Sequence, residues 1–273
     1  MTLRNMTKDS KSIVQSVGKA FRLMEAFGAD ENGYLLADLA RSAELDNGTT
    51  FRLLNTFVLL GYVEKNEATR RFRLSLKCLN LGFNAIARTD LRSLARPHLR
   101  KLVGGAAEAA SIGVLDENEV IYIERIQSSV ARTVVDVRIG NRVMVHSSAL
   151  GQAILSCMPE TQQRAMLERQ PLQKITPYTL TDVEQILERL RLVQESGYVL
   201  SDQENRMGLR VIAAPIKDID GYAVAGLSAV APAYGQTCEQ FELDMRDPII
   251  AAAAELSAAV QASGGTVDHS LII

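Results

Sequence analysis

Three groups of side chains in this sequence have the types and spacing to do chemistry. The first lies in DNGTTFRLLNTFVLLGYV, Asp46 to Val63. Leu53, Leu54, Phe57 and Leu60 fall at i, i+1, i+4 and i+7, so at about 100° per residue they share one face of an α-helix and predict its buried side. The other side carries Gly48, Thr49, Phe51, Arg52 and Asn55, where solvent would normally select Lys or Glu. These types suit a nucleic-acid groove. A guanidinium pairs with guanine or phosphate, a carboxamide with adenine, an aromatic ring lies against a thymine methyl, and glycine lets the backbone approach closely. Arg70, Arg71 and Arg73 follow downstream with cations for phosphate or the minor groove. The plainer alternative is that Phe51 packs on another helix or a second subunit and the arginines are solvated charges.

The second group is His146 beside Ser147 and Ser148, with Asp202 and Glu204 further on. Histidine next to serine could make a nucleophilic site, and two carboxylates at i and i+2 an acid/base pair. Neither has the surroundings such chemistry needs. No GxSxG elbow encloses either serine, Cys157 sits in the apolar segment ILSCM, and the carboxylates have no partner motif. The sequence therefore predicts no enzyme. The third group, Cys78, Cys157, Cys238, His98, His146 and His269, is scattered without a CxxC pair, which describes reduced thiols and predicts neither a metal site nor a cofactor.

The elements that must position these residues can be read from periodicity. Ser16 to Phe27 has Val17, Ala20, Phe21, Leu23, Met24 and Phe27 at helical spacing and breaks at Gly28. LLADLARSA places Leu36, Leu39 and Ala40 on one face of a second, short helix. Asp46 is placed to N-cap the third helix and Gly61 to end it. YVEK and RRFRLS then alternate, with Phe72 and Leu74 on one face and Arg71 and Arg73 on the other, around a polar tip from Asn66 to Thr69. Two helices at a sharp turn followed by a hairpin spell a winged helix-turn-helix, whose second helix of the pair enters the major groove.

Leu76, Leu79, Phe83 and Ile86 predict a linker helix, and Leu91, Ala95, Leu99 and Leu102 a further helix that Pro97 kinks or starts irregularly. The linker's apolar stripe suits pairing with a second copy, or packing on its own neighbouring domain. Beyond Gly104, ASIGVL, EVIYIERI and ARTVVDVRI read as strands, ALGQAILSCM and the segment from Tyr178 to Gly197 as helical. GYVLSD, LRVIAAPIKD and GYAVAGLSAVA are strands again, with a hairpin turn at Asp218 to Gly221, and Cys238 to Ala262 closes the chain as an Ala-rich helix. Hairpins with helices gathered apart give an α+β class with a mainly antiparallel sheet. Ser147 and Ser148 look like N-caps of the helix that follows, whose free N–H groups suit an anion.

The expected organisation is a winged helix-turn-helix over residues 1–75, a linker helix over 76–90, a second domain over 91–263 and a tail over 264–273. A chain of 273 residues, 47% hydrophobic and 23% charged, has the material for two globular domains. The N-terminus lacks the apolar core of a signal peptide, and no run approaches the roughly 18 apolar residues that span a bilayer. A cytoplasmic protein with no membrane partner is expected. The net charge of −2 hides an asymmetry: residues 1–80 carry 12 Lys+Arg against 9 Asp+Glu, the remainder 18 against 23. Only the first part is basic, as a chain that meets nucleic acid through that part would be.

Taken in order, SVGKAFRLMEAF, LADLARSAELDNGTTFRLLNTFVLLGYV, RFRLSLKCLNLG, DLRSLARPHLRKL, RIGNRVMVHSSALGQAIL and SDQENRMGLRVIAAPIKDIDGYAVAGLSAVAP resemble the IclR family of bacterial transcriptional regulators, from Ser16 to roughly Val260. The resemblance implies a DNA-binding winged helix, a linker helix and a C-terminal effector domain of GAF-like fold, assembled as dimers or tetramers. It also implies effector contacts at Ala149, Leu150, Ser201 or Asp202, Leu209, Val211, Ser228 and Val230. Two departures stand out: Asp46-Asn47-Gly48 where relatives often have Pro-Lys-Ser, and Gln152 where a lysine is usual. Val211 and Val230 replace polar or sulfur-bearing residues of some relatives, which argues for a more apolar ligand such as an aromatic acid. The expected protein is a transcription factor that binds a double-stranded operator, with affinity set by a small organic acid. A ligand-binding or assembly protein whose helical module contacts protein is the alternative.

Overall fold

The computed structural model describes residues 14–28, 30, 32–81, 91–128 and 137–262. The chain divides into two compact units, residues 1–85 and 86–273. Phe83 and Ile86 of the expected linker helix, most of the expected strand ARTVVDVRI and the tail lie outside the described residues.

The first unit is built from α1 (Gln15–Glu25), α2 (Leu36–Ser42), α3 (Asn47–Leu60) and the hairpin β1 (Val63–Asn66) and β2 (Arg71–Leu74). Its core is Leu23, Leu39, Ala43, Leu54, Val63 and Phe72, one or two residues from each element, with Leu53 and Phe57 packed against it. Asp46 caps α3 by accepting the Thr49 N–H at 2.8 Å, and Gly61 ends it in the left-handed region at φ 79°, where a side chain would be strained. The wing pairs Lys65 with Phe72, and Phe72 also exchanges backbone hydrogen bonds with Tyr34, so the hairpin is tied to the start of α2.

One expectation of burial, at Leu60, fails here, and other apolar residues of these elements are exposed. Val17 and Phe21 of α1 are 51% and 59% exposed, because only the C-terminal end of that helix, from Leu23 onward, meets the core. Leu60 is 50% exposed, since the core contact of α3 ends at Phe57 and the chain turns away at Gly61. Leu74 is 39% exposed at the end of its short strand. Leu76 and Leu79, at the start of the linker segment, are also exposed.

The second unit contains α4 (Leu91–Leu102), β3 (Ala109–Asp116), β4 (Glu119–Gln127), β5 (Arg142–Met144), α5 (Ala149–Leu155), α6 (Glu160–Glu168), α7 (Val183–Ser196), β6 (Val199–Asp202), β7 (Leu209–Lys217), β8 (Ala223–Pro232) and α8 (Cys238–Ala262). The strands form one sheet in the order β5-β4-β3-β8-β7-β6, every pair antiparallel. Alternate residues face opposite sides. Ala110, Ile112, Ile212, Ala214, Leu227 and Ala229 pack under α4 and α8, while the other face lies under α5, which itself packs on α7. The helices therefore cover both faces of the sheet. Leu91, Ala95, Leu99 and Leu102 are buried in α4 as their spacing predicts, and Pro97 sits inside the continuous helix.

α5 sits unusually close to its surroundings. A Cβ on Gly151 would lie 2.3 Å from both Cα and O of Val145, and one on Gly226 beneath it 2.9 Å from Leu150 Cδ2. β4 carries an irregularity: the register passes from Ile112 against Glu124 to Gly113 against Tyr122, leaving Ile123 without a partner. That β-bulge lets Tyr122 and Arg125 share one face although they are three residues apart. A regular strand would put them on opposite sides.

Candidate functional site

In the first unit α3 presents Gly48, Arg52 and Asn55 fully to solvent, Phe51 at 52% exposure and Thr49 half-buried. The Thr56 hydroxyl donates to the Arg52 carbonyl at 2.9 Å, and the Arg52 guanidinium itself has no ion-pair partner among the described residues. Leu59, four residues beyond Asn55, is 88% exposed on the continuation of that face, and the sequence reading passed over it as one more residue of an apolar run. The Asp46 carboxyl is held below its ordinary range by the hydrogen bonds from Thr49.

The wing arginines separate into three different states. Arg70 sits at the turn with φ 55° and is exposed. Arg73 forms a two-pronged pair with Glu64 on the facing strand, at 2.8 and 2.7 Å, where both are exposed. Arg71 reaches back and donates to the Gly33 carbonyl at 2.7 Å, so it braces the wing against the loop before α2. Of the three, Arg70 is the one without a side-chain partner among the described residues.

In the second unit a cavity of about 250 Å³ opens between the sheet and the first turn of α5. It lies just below the roughly 300–1,000 Å³ of ordinary ligand cavities, a size for a small molecule and not for a dinucleotide. Of the eight expected effector positions, Ala149, Leu150, Ser201, Leu209, Val211 and Val230 line it. Two rows of cross-strand neighbours run through this part of the sheet: Gln127, Ala109, Val230, Val211 and Ser201, the last three lining the cavity, and beside them Arg125, which also lines it, with Ser111, Ser228, Ala213 and Val199.

Asp202 and Ser228 are not on the lining. Asp202 alternates away from Ser201 along β6 and is held by Arg210 at 2.9 Å, while Arg210 also bonds the Gln236 carbonyl. Ser228 is buried in the second row, its hydroxyl donating to the Ser111 carbonyl over a long 3.5 Å. Glu204 does reach the lining, but its carboxylate takes two contacts from Arg189 of α7, at 2.6 and 2.7 Å, and its carbonyl accepts the hydroxyls of Thr176 and Thr179. The acid/base pair weighed for Asp202 and Glu204 is thus two separate ion pairs.

Ser148 is the N-cap of α5, accepting from Gly151 N–H at 3.1 Å and donating to the Met144 carbonyl at 2.8 Å. Ser147 bonds Asn205 instead and does not cap the helix. His146 meets the Gln173 carbonyl at 2.9 Å, with no bond to either serine among the described residues. Gln152, where relatives were expected to carry lysine, is fully buried and donates to the His146 carbonyl at 2.7 Å, tying α5 to the strand end before it.

The sequence reading missed two polar residues of this cavity, Tyr122 and Arg125 on β4. Arg125 donates to Ser111 Oγ at 3.0 Å. Burial lowers its guanidinium pKa and raises that of the Tyr122 phenol, the two charges that a dry environment disfavours. The single signal in the sequence was an arginine and a tyrosine inside the otherwise β-branched run EVIYIERI, and without the bulge their spacing assigns them to opposite faces. Among the described residues no group of three or more His, Cys, Asp or Glu is placed to hold a metal ion, and no helix is long and apolar enough to cross a membrane.

Comparison with known proteins covers both units. Residues 83–258 match the family model described as bacterial transcriptional regulator IclR C-terminal, and residues 16–67 match the IclR helix-turn-helix domain. The chain is similar to the HTH-type transcriptional regulator XynR of Escherichia coli, 30% identical over 79% of this chain and 85% of that one. It is also similar to the p-hydroxybenzoate hydroxylase transcriptional activator of Acinetobacter baylyi, 29% identical over 81% of this chain and 83% of that one. Among solved structures, an IclR homolog from Microbacterium hydrocarbonoxydans complexed with 4-hydroxybenzoate superposes with a TM-score of 0.79 at 27% identity, covering 90% of this chain and 99% of that one.

Proposed function

This chain belongs to the IclR family of bacterial transcriptional regulators and is a DNA-binding regulator with an effector domain, and we propose that its ligand is a small carboxylic acid, an aromatic one by preference, held in the cavity under α5. The observation that carries the proposal is the cavity's composition. Apolar Leu150, Leu209, Val211 and Val230 share the lining with a half-buried arginine, Arg125, in a space sized for one small ring. A solved homolog holding 4-hydroxybenzoate and a relative named for p-hydroxybenzoate hydroxylase support the same ligand class. The protein performs no catalysis in this reading. It acts in the cytoplasm, where its operator is, as a dimer or an assembly of dimers, because two winged helices related by a two-fold axis read two half-sites.

On the DNA side, Arg52, Asn55 and Phe51 read base edges and Gly48 and Thr49 lie close to the backbone, with Arg70 the wing residue that reaches phosphate or the minor groove. Arg71 and Arg73 support the wing through Gly33 and Glu64. Regulation is a population shift: the acid binds one arrangement of the effector domains better, and the operator is bound better by one of the two. The reading of the helical module as a protein-contacting unit is disfavoured by the match of residues 16–67 to a DNA-binding domain family.

Fluorescence anisotropy of the full chain on its own upstream DNA and on a scrambled duplex, over a range of salt, tests the DNA half. Binding that prefers the native duplex, weakens with salt as phosphate contacts demand and fails in Arg52→Ala supports it. Equal binding to both duplexes, or none in low salt, removes it.

A further inference from the structure

The lining of the cavity contains three arginines and one carboxylate, and three of these four charges are accounted for. Arg142 is held by Asp116 at 2.5 Å and Glu119 at 3.2 Å. Arg206 is exposed and keeps its water. Glu204 is taken by Arg189, which comes from outside the cavity. Arg125 is different. Among the described residues it makes no ion pair, and its one side-chain hydrogen bond runs from Nη1 to Ser111. Its Nε, closed off from solvent, meets no acceptor among the described residues.

A half-buried guanidinium without a counter-charge, and a buried N–H without an acceptor, both cost stability. An unmet donor on a residue that lines a cavity is one that a ligand there can help to satisfy. The unused edge of Arg125 carries Nε–H and one N–H of Nη2 side by side, the fork that a carboxylate meets with two parallel hydrogen bonds. The bulge at Ile123 puts Arg125 on the same side of β4 as Tyr122, and both line the cavity. Ser111, Ser228 and Ala213 continue its row across the sheet with small side chains.

We propose that the guanidinium of Arg125 is the anchor for the effector's carboxylate, and that it makes the cavity select anions over neutral molecules of the same shape. The proposal rests on the reading that the cavity takes a small organic acid and adds which residue recognises the charge. Burial that lowers the Arg125 pKa acts in the same direction, since a carboxylate beside the still-charged guanidinium offsets its lost hydration. The body of the ligand then lies toward Leu209, Val211 and Val230.

The test is titration calorimetry on the full chain with benzoate, 3-hydroxybenzoate and 4-hydroxybenzoate, each against its amide, for wild type, Arg125→Met and Arg125→Lys. Operator binding by anisotropy serves as the control for folding. The expected result is an acid that binds wild type roughly 10- to 100-fold tighter than its amide, the range of a charge-assisted hydrogen-bonded pair. Arg125→Met loses that preference while its affinity for the amide stays, and Arg125→Lys, with a point charge in place of the fork, falls between. Equal affinity of wild type for acid and amide overturns the proposal even if neither variant folds. So does an acid that binds Arg125→Met as it binds wild type, and in both cases the organic-acid reading of the cavity survives. If none of the acids binds wild type, the reading itself falls and the proposal with it.

Discussion

Gly151→Ala is the substitution that decides whether α5 is seated as closely as the structure has it. Inside a helix the change from glycine to alanine is worth about 1 kcal/mol in favour of alanine. Against that, the new Cβ would stand 2.3 Å from both Cα and O of Val145, and 2.7 Å from its carbonyl carbon. Ordinary contact begins near 3.4 Å, so α5 or the Val145 backbone must move by about 1 Å, and neither atom is the flexible end of a side chain. Overpacking of this kind costs about 1–3 kcal/mol and more against backbone, which outweighs the propensity gain. The net expectation is a loss of about 1–2 kcal/mol, or roughly 2–8 °C in Tm for a unit of this size. Ser148, Ala149 and Leu150 ride on the same turn and line the cavity, so affinity for any acid that binds wild type should fall with it. Scanning calorimetry of the full chain measures the first effect and isothermal titration the second. Gly105→Ala, with nothing within 4 Å of the added Cβ, is the matched control and should change little. A Gly151→Ala protein as stable as wild type, or more stable, would refute the reasoning: propensity would then have won, and α5 would be loosely held.

Arg52→Ala should weaken specific operator binding by about 1–3 kcal/mol and relax preference at one base position, as anisotropy on single-base variants of the operator would show. Arg189→Met leaves the buried Glu204 carboxylate without its partner and should cost about 3 kcal/mol, while the double variant with Glu204→Gln recovers most of it in a thermal double-mutant cycle. Because hydrogen bonds from Thr49 hold the Asp46 carboxyl below its ordinary value near 3.8, the cap's contribution is complete above that pH and is lost as pH falls through the lower, folded value. The stability gap between wild type and Asp46→Ala should therefore narrow below about pH 4 in denaturant titrations and stay constant above it. Ser228→Ala, which removes one long hydrogen bond, should cost under about 1 kcal/mol and leave the fold intact by circular dichroism.

The elements whose periodicity is local were legible in the sequence. The apolar stripe of α4, the cap at Asp46, the stop at Gly61 and the order of strands β6 to β8 follow from spacings within a dozen residues. What was not legible depends on partners far along the chain. Arg71 bonds Gly33 thirty-eight residues away and Arg73 bonds Glu64 across the hairpin, so charge alone overstated the wing's free cations. The burial assigned to Leu60 assumed that a helix meets the core along its whole length, whereas α3 touches it over part, as α1 does in leaving Val17 and Phe21 exposed. α6 carries a weaker pattern and went unmentioned. The family resemblance brought six of the eight expected effector positions to one cavity. It left Asp202, which strand alternation turns away toward Arg210, and Ser228, in the neighbouring row of the sheet. Arg125 and Tyr122 were invisible because a strand's alternation separates residues three apart, and a bulge at Ile123 is a tertiary fact with no signature of its own in EVIYIERI.

The central claim is that occupancy of the cavity changes operator affinity. The direct measurement is operator anisotropy on the full chain, without ligand and at a concentration of acid that calorimetry on the same preparation shows to be saturating. Coupling between two sites of a regulator is typically about 1–3 kcal/mol, so the operator Kd should move by roughly 5- to 150-fold in one direction. An operator Kd that stays unchanged with the cavity filled would contradict the account.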